Sequence, residues 1–388
     1  MFEPLPIKRR MLFSIACLVL FCPPAAWAGF DSLDSACLSC LYPNGKLESG
    51  GLGQAYWDLG SKKAISEKNI SLLRTDMDGK PGKEVIAAYS ILSNYDPASD
   101  NFEMAVPYVA VLSCRHMKCQ AVAQPITLFD EGRVVNVEDA KPGKAIAGKI
   151  GLVEFLSGAA PIKTITAAVM LKPGEPVTLK RVALVVTADP EDSKRQGKIK
   201  MLDLDKDGIN ELVYHADRKA ILDPYGGDKG SVMDQVFTFD KNDFKYVQDM
   251  TIECSTALKD ERGRTWIHAP VMMFDSEKST AWCEGTKQYG IAEFIKVEFP
   301  DKRKITTLDM LPGWGKSPGT FLSHNQVKTF MVESESKKKF GYTFPQSERE
   351  LQSIDLLRPV KTRWIRLWIQ QIFSARIDET CISELTFE

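Results

Sequence analysis

The sequence predicts a mainly β protein in two domains, residues 29–250 and 251–388, behind a short targeting segment over residues 1–28. Three observations predict it. Short runs rich in β-branched and aromatic residues, at 84–89, 109–112, 182–186 and 236–239, alternate with Gly, Pro, Asp and Asn clusters, as strands alternate with turns. Long stretches of 3.6-residue periodicity are missing, and 31–40 is the one plausible short helix before Gly50. From about Thr251 the residue pattern changes, and 290–299 alternates apolar and polar positions as a strand with one buried face does.

The first 28 residues read as a signal peptide. Lys8, Arg9 and Arg10 precede a short apolar run at 11–21, and Ala26-Trp27-Ala28 supplies a small-x-small cleavage signal. Cys17 lacks the leucine that precedes a lipidated cysteine, so simple cleavage is expected, with export to the periplasm or beyond. No stretch reaches the roughly 18 to 20 apolar residues of a transmembrane helix, so no such anchor is expected. Removing the segment takes the net charge from −1 to −3, because Lys8, Arg9, Arg10 and Glu3 leave together. That balance offers nothing to attract nucleic acid or an anionic membrane.

Seven cysteines remain: Cys37, Cys40, Cys114, Cys119, Cys254, Cys283 and Cys381. In an oxidising compartment such cysteines form disulfides. Cys37 and Cys40 have the spacing of redox pairs and zinc knuckles, but no thioredoxin-like βαβ pattern surrounds them. Cys114 and Cys119 read as strand ends across a tight turn that a bridge would staple. Structural disulfides among these four are expected over metal or redox chemistry. The odd count leaves one thiol over, assigned to the C-terminal domain.

Two acidic turns mark the first domain. In the sharper one, Asp203, Asp205, Asp207 and Glu211 supply side-chain oxygens, Ile209 a backbone carbonyl and Gly208 the turn, which together suit calcium. A strand leads in and a strand leads out, so this is no EF-hand. It resembles the metal-binding turn of FG-GAP and integrin-like β-propeller repeats, a resemblance that implies Ca2+; the alternative is an acidic hairpin turn without metal. A weaker copy carries Asp76, Asp78 and Glu84 but puts Lys80 at a ligand position, where a cation is repelled. The copies lie 127 residues apart, and each is followed by an Asp-Pro pair and an apolar strand, which reads as a diverged duplication.

In the second domain Asp275 is followed by Thr280-Ala281-Trp282-Cys283-Glu284-Gly285, then Gly290-Ile291-Ala292-Glu293, Gly313-Trp314-Gly315-Lys316, Asn325 with Lys328, and finally Cys381-Ile382-Ser383-Glu384. This ordered set resembles the discoidin, or coagulation-factor type C, superfamily, and within it the NADase-type glycan-binding domain. Ser276 and Ala292 stand where the pattern has glycine, and Pro312 where it has asparagine. The resemblance implies a jelly-roll sandwich with ligands held by loops at one end, and a structural cation held by Asp275, Thr280 and Glu384. It implies a glycan or glycoconjugate as partner. Sugar faces pack on exposed rings, so Trp314 is the leading candidate contact, with Lys316 and Asn325 beside it and Tyr289 second. Trp282, Trp364 and Trp368 lie in strand patterns and are expected in the core.

No H-E-x-x-H, G-x-S-x-G or G-x-G-x-x-G motif is present, and an acidic pair for glycoside hydrolysis, being assembled in space, has no sequence signature to look for. The four histidines, His116, His215, His268 and His324, are isolated in sequence, and Gly315-Lys316-Ser317 imitates a P-loop ending but Met310 stands where its first glycine belongs. The leading reading is an exported, non-catalytic glycan-binding protein with a calcium-stabilised β domain. The alternatives are an envelope or extracellular glycan hydrolase targeted by its C-terminal module, and a protein–protein interaction module.

Overall fold

A computed structural model describes residues 32–388 apart from 45, 51–52, 59, 76–83, 97, 100, 116–117, 141–149, 159–161, 173–176, 190–194, 219–230, 287–288 and 337–338. The signal segment, the acids Asp76 and Asp78 of the weaker turn, and His116 lie outside the described residues. The chain is mainly β. Among the described residues the first element, the helix α1 (Ser32–Leu41), falls where the helical candidate was read. No helix among the described residues is long and apolar enough to cross a membrane.

One sheet holds β1 (Lys46–Gly50), β2 (Gly53–Asp58), β3 (Lys63–Ser66), β4 (Ile70–Thr75), β5 (Glu84–Ser93), β6 (Met104–Arg115), β7 (Lys118–Ala121) and β8 (Ile126–Thr127). A second sheet runs as an antiparallel meander through β9 (Gly132–Ala140), β10 (Ile150–Ser157), β11 (Thr164–Lys172), β12 (Thr178–Asp189), β13 (Arg195–Leu202), β14 (Glu211–Arg218), β15 (Ser231–Asp240) and β16 (Lys245–Cys254). β12 and β13 pair at only two positions, so the meander divides into two four-stranded halves.

These units stack face to face, and the two-residue period of a strand shows how. On β11, Ile165, Ala167, Val169 and Leu171 pack with Ile86 and Val109 of the first sheet. The alternate residues Ala168 and Met170 pack with Leu212, Tyr214 and Met233 of the β13–β16 half. Both faces of β9–β12 are thus covered. Gly151 marks how close the layers come: a Cβ there would lie 2.8 Å from Ile86 Cδ1. The spacing read from the sequence reappears in the strands, since β5, β6 and β7 begin at 84, 104 and 118 and β14, β15 and β16 at 211, 231 and 245.

The C-terminal part adds β17 (Trp282–Cys283), β18 (Phe294–Leu311), α2 (Pro318–Ser323), β19 (His324–Ser334), β20 (Lys339–Thr343), β21 (Gln352–Phe373), β22 (Ile377–Ile382) and β23 (Glu384–Phe387). β18 and β21 are long, and their antiparallel pairing breaks register twice, so one bent strand pair, not adjacent in the chain, serves both layers of a β-sandwich. The expected boundary at 251 falls inside a continuous strand: β16 pairs with β15 along its length and, from Thr251 to Cys254, with β18. One core joins Val213, Val236 and Ile252 to Trp282, Ile365 and Leu385.

Candidate functional site

Two loops flagged in the sequence meet at the motif Cys381-Ile382-Ser383-Glu384. Cys381 is disulfide-bonded to Cys283, its register partner on β17. The Ser383 N–H donates to the carbonyls of Leu311 and Gly313 at 3.2 and 3.0 Å. Its hydroxyl accepts from the Gly315 N–H at 2.8 Å and donates to the Lys278 carbonyl at 3.2 Å. Ser383 therefore ties the 275–280 loop to the loop that carries Trp314.

In the first loop, the Thr280 hydroxyl lies 2.9 and 2.7 Å from the two oxygens of Asp275. Glu384 sits beside them, 7% exposed, and its buried Oε1 has no hydrogen-bond partner. Burial first, then the charge of Asp275, pushes the Glu384 carboxyl up to about 7; burial likewise raises Asp275. Two carboxylates and a hydroxyl, one oxygen unsatisfied, form a donor set that fits a hard cation. Ser276 and Ala292, where the family pattern has glycine, keep a glycine-like backbone, with φ of 54° and 67°. Pro312, where the family pattern has asparagine, accepts from the Val327 N–H at 2.8 Å through its carbonyl.

The second loop holds Trp314 half-buried. Its ring packs against Ala281 and the cystine of Cys283 and Cys381, and its indole N–H donates to the Ser279 carbonyl at 3.0 Å. His268 and His324 lie T-shaped to the ring, with centroids 5.2 and 5.0 Å away, and the exposed Lys316 reaches within 5.8 Å of its centroid. The flanking glycines are there for space: a Cβ at Gly313 would lie 2.5 Å from the Phe321 ring. The other candidates separate. Tyr289 is 47% exposed. Asn325 is 1% exposed, donating to the Asp378 carbonyl at 2.6 Å and accepting from the Ala375 N–H at 2.7 Å, so its amide is a strut inside the domain rather than a surface contact.

The 203–211 turn brings together the carboxylates of Asp203, Asp205 and Glu211, each offering an oxygen within 4.8 Å of the others. Gly208 takes the left-handed backbone expected of it, with φ of 86°. Glu211 accepts from the Leu204 N–H at 2.7 Å and is pushed up to about 7 mainly by burial, with Asp205 and Asp207 adding to the rise. A buried oxygen of Asp203 has no partner. Asp207 does not join the group: it accepts from the Ile209 N–H at 2.7 Å and pairs with Lys241. Ile209 itself is buried.

Several expectations are corrected. Trp282 is in the core, but Trp364 and Trp368 are half-exposed on the outer face of β21, flanking Arg366, whose guanidinium lies 5.6 and 5.4 Å from their rings. The inward positions between them belong to Ile365 and Leu367. His215 is isolated only in sequence. Its Nδ1 contacts Asp234 at 2.6 Å and its Nε2 the Thr265 hydroxyl at 2.9 Å, a carboxylate–imidazole–hydroxyl array. Thr265 is 2% exposed, and Asp234 also accepts from the Val271 N–H, so the array clamps the 265–271 segment onto β14 and β15. Cys114 and Cys119 are bridged as expected, but Cys37 and Cys40 are not disulfide-bonded, and Cys37 Sγ lies 3.8 and 3.6 Å from the other two sulfurs. Cys254 is a buried thiol. Sequence reading gave no role to Glu284 and Glu293, which turn out buried and bonded, to Thr380 and Thr286 and to Thr256.

No curated protein matches the chain. Among solved structures, similarity is found to the family 32 carbohydrate-binding module of AlyQ in complex with 4,5-unsaturated mannuronic acid, at 15% identity over 35% of this chain and 92% of that one, TM-score 0.26. The family 32 module of NanJ from C. perfringens, in complex with galactose, matches at 12% identity over 36% and 92%, TM-score 0.27. A family 32 module from a family 31 glycoside hydrolase of Clostridium perfringens matches at 13% over 36% and 93%, TM-score 0.28. Residues 245–388, which contain both loops and the strand that ties them, match the model of the NAD glycohydrolase translocation F5/8 type C domain.

Proposed function

We propose that the protein is an exported carbohydrate-binding protein whose ligand face is built on Trp314. The observation that carries this reading is the fixed, half-open indole. It is locked by the Ser279 carbonyl and backed by the 283–381 cystine, with two imidazoles T-shaped to it and the Lys316 ammonium over the ring. A rigid ring with hydrogen-bonding neighbours suits a sugar, whose C–H face stacks while its hydroxyls bond at the rim. The match of residues 245–388 to the translocation F5/8 type C domain and the ordered glycan-binding motifs support the same reading. The two disulfides and the basic, apolar leader support export to an oxidising compartment.

Calcium is part of the proposal. Asp275, Thr280 and Glu384 would hold one ion, and Asp203, Asp205 and Glu211 a second, each supplying hard oxygens that bind a divalent cation without redox chemistry. The unpartnered buried oxygens of Glu384 and Asp203 support both. A glycan array probed with the full chain tests the function: a saccharide class that binds and is released by competition is expected, and a blank array sinks it. Release of shorter saccharides from bound ligands would move the protein to the hydrolases.

A further inference from the structure

Lys206, at the tip of the 203–211 turn, has a left-handed backbone with φ of 62°. Its ammonium crosses to the other loop, donating to the Ser276 carbonyl at 2.6 Å and lying 3.5 Å from a Glu277 oxygen. Ser276 also has a positive φ, 54°, and sits between Asp275 and Glu277. Asp275 precedes it in the chain, and the buried Glu384, whose Oε1 has no hydrogen-bond partner, feels the charges of both Asp275 and Lys206. The charges facing this cluster come from both sides: Asp275, Glu277 and Glu384 against Lys206 and Lys278. Lys278 is also held by Glu350, 3.1 Å away, which leaves Lys206 as the cation delivered by the first domain.

We propose that Lys206 is a tethered cation that stands in for a divalent metal ion at the Asp275–Glu384 cluster, so that metal binding there competes with docking of the 203–211 turn. This rests on the calcium reading given above. The chemistry follows from charge. An ammonium hydrogen-bonded to a loop carbonyl neutralises the acids without filling the cluster, and it repels an arriving divalent ion. The interaction of one unit charge with a double charge about 6 Å away in a water-like medium corresponds to about a tenfold change in affinity. Binding is reciprocal: an ion that expels Lys206 also weakens the contact between the turn and Ser276.

Calcium titration of the full chain by calorimetry tests this, with Glu384→Gln, Lys206→Gln and Lys206→Arg beside the wild type. Melting curves establish that each variant is folded; the Lys206 side chain is 53% exposed, so its loss leaves no buried gap. The site removed by Glu384→Gln is expected to bind calcium about tenfold more tightly in Lys206→Gln, and as in the wild type in Lys206→Arg. Binding detected in Lys206→Gln alone supports the proposal in its strongest form. Equal or weaker binding in Lys206→Gln, with the Glu384-dependent site present in the wild type, overturns the tethered cation and leaves the calcium reading standing. No Glu384-dependent calcium binding in any variant overturns both.

Discussion

Cys283 and Cys381 face each other as register partners and are joined across 98 residues of chain, from the start of the sandwich to its last strands. The bond closes the segment that contains the Trp314 loop, and the 275–280 loop lies just before it in the chain. Loop-closure entropy for about 100 residues corresponds to roughly 4.7 kcal/mol in the chain-entropy model. Replacing both cysteines by alanine is therefore expected to lower Tm by roughly 10–20 °C, at about 2–4 °C per kcal/mol for a domain of this size. Scanning calorimetry reads this directly; an unchanged Tm would show that the sandwich is closed without the bond.

Ser276 and Ala292 hold backbone conformations that cost side-chain-bearing residues about 1 kcal/mol relative to glycine. Ser276→Gly and Ala292→Gly are each expected to stabilise the chain by about 0.5–1 kcal/mol, seen as a higher denaturant midpoint with an unchanged slope. A lower midpoint in both would mean that the side chains are held by contacts that outweigh the strain.

The carboxyls of Glu384 and Glu211 are pushed up to about 7, above the ordinary 4.5, chiefly by burial. In chelator, the folded chain then keeps protons that the unfolded chain releases between about pH 4.5 and 7. The stability these groups give is full below that window and is lost as pH rises through it. Thermal melts in chelator should show Tm falling from pH 5 to pH 7.5, with a shallower slope in Glu384→Gln. Calcium should restore Tm at the upper end, because it binds the ionised form. A Tm that rises across the window without calcium contradicts the burial assigned to these carboxyls.

Local chemistry was what the sequence made legible. The 31–40 helix, the strands, the Gly208 turn and the Cys114–Cys119 staple all follow from periodicity and turn residues within a few positions. The 127-residue repeat was legible because the second copy's strands keep their spacing. What tertiary pairing decides was hidden. Trp364 and Trp368 have the same strand context as Ile365 and Leu367, and only the register of β21 against β18 and β19 turns the tryptophans outward. Asn325 looked like a surface residue until the Asp378 carbonyl and the Ala375 N–H met it from 50 residues away and more. The contact of Lys206 with Ser276 spans 70 residues and has no local signal at all.

The central claim, that a carbohydrate is read on Trp314, is tested most directly by calorimetric titration of the array-selected saccharide into the full chain and into Trp314→Ala. Melting curves accompany both, because the ring also packs on the cystine. Loss of a stacking aromatic is expected to weaken binding at least tenfold, on the order of 1.4 kcal/mol or more, in a variant that still melts cooperatively. Equal affinity in wild type and a folded Trp314→Ala would contradict it and move the ligand to another face of the domain.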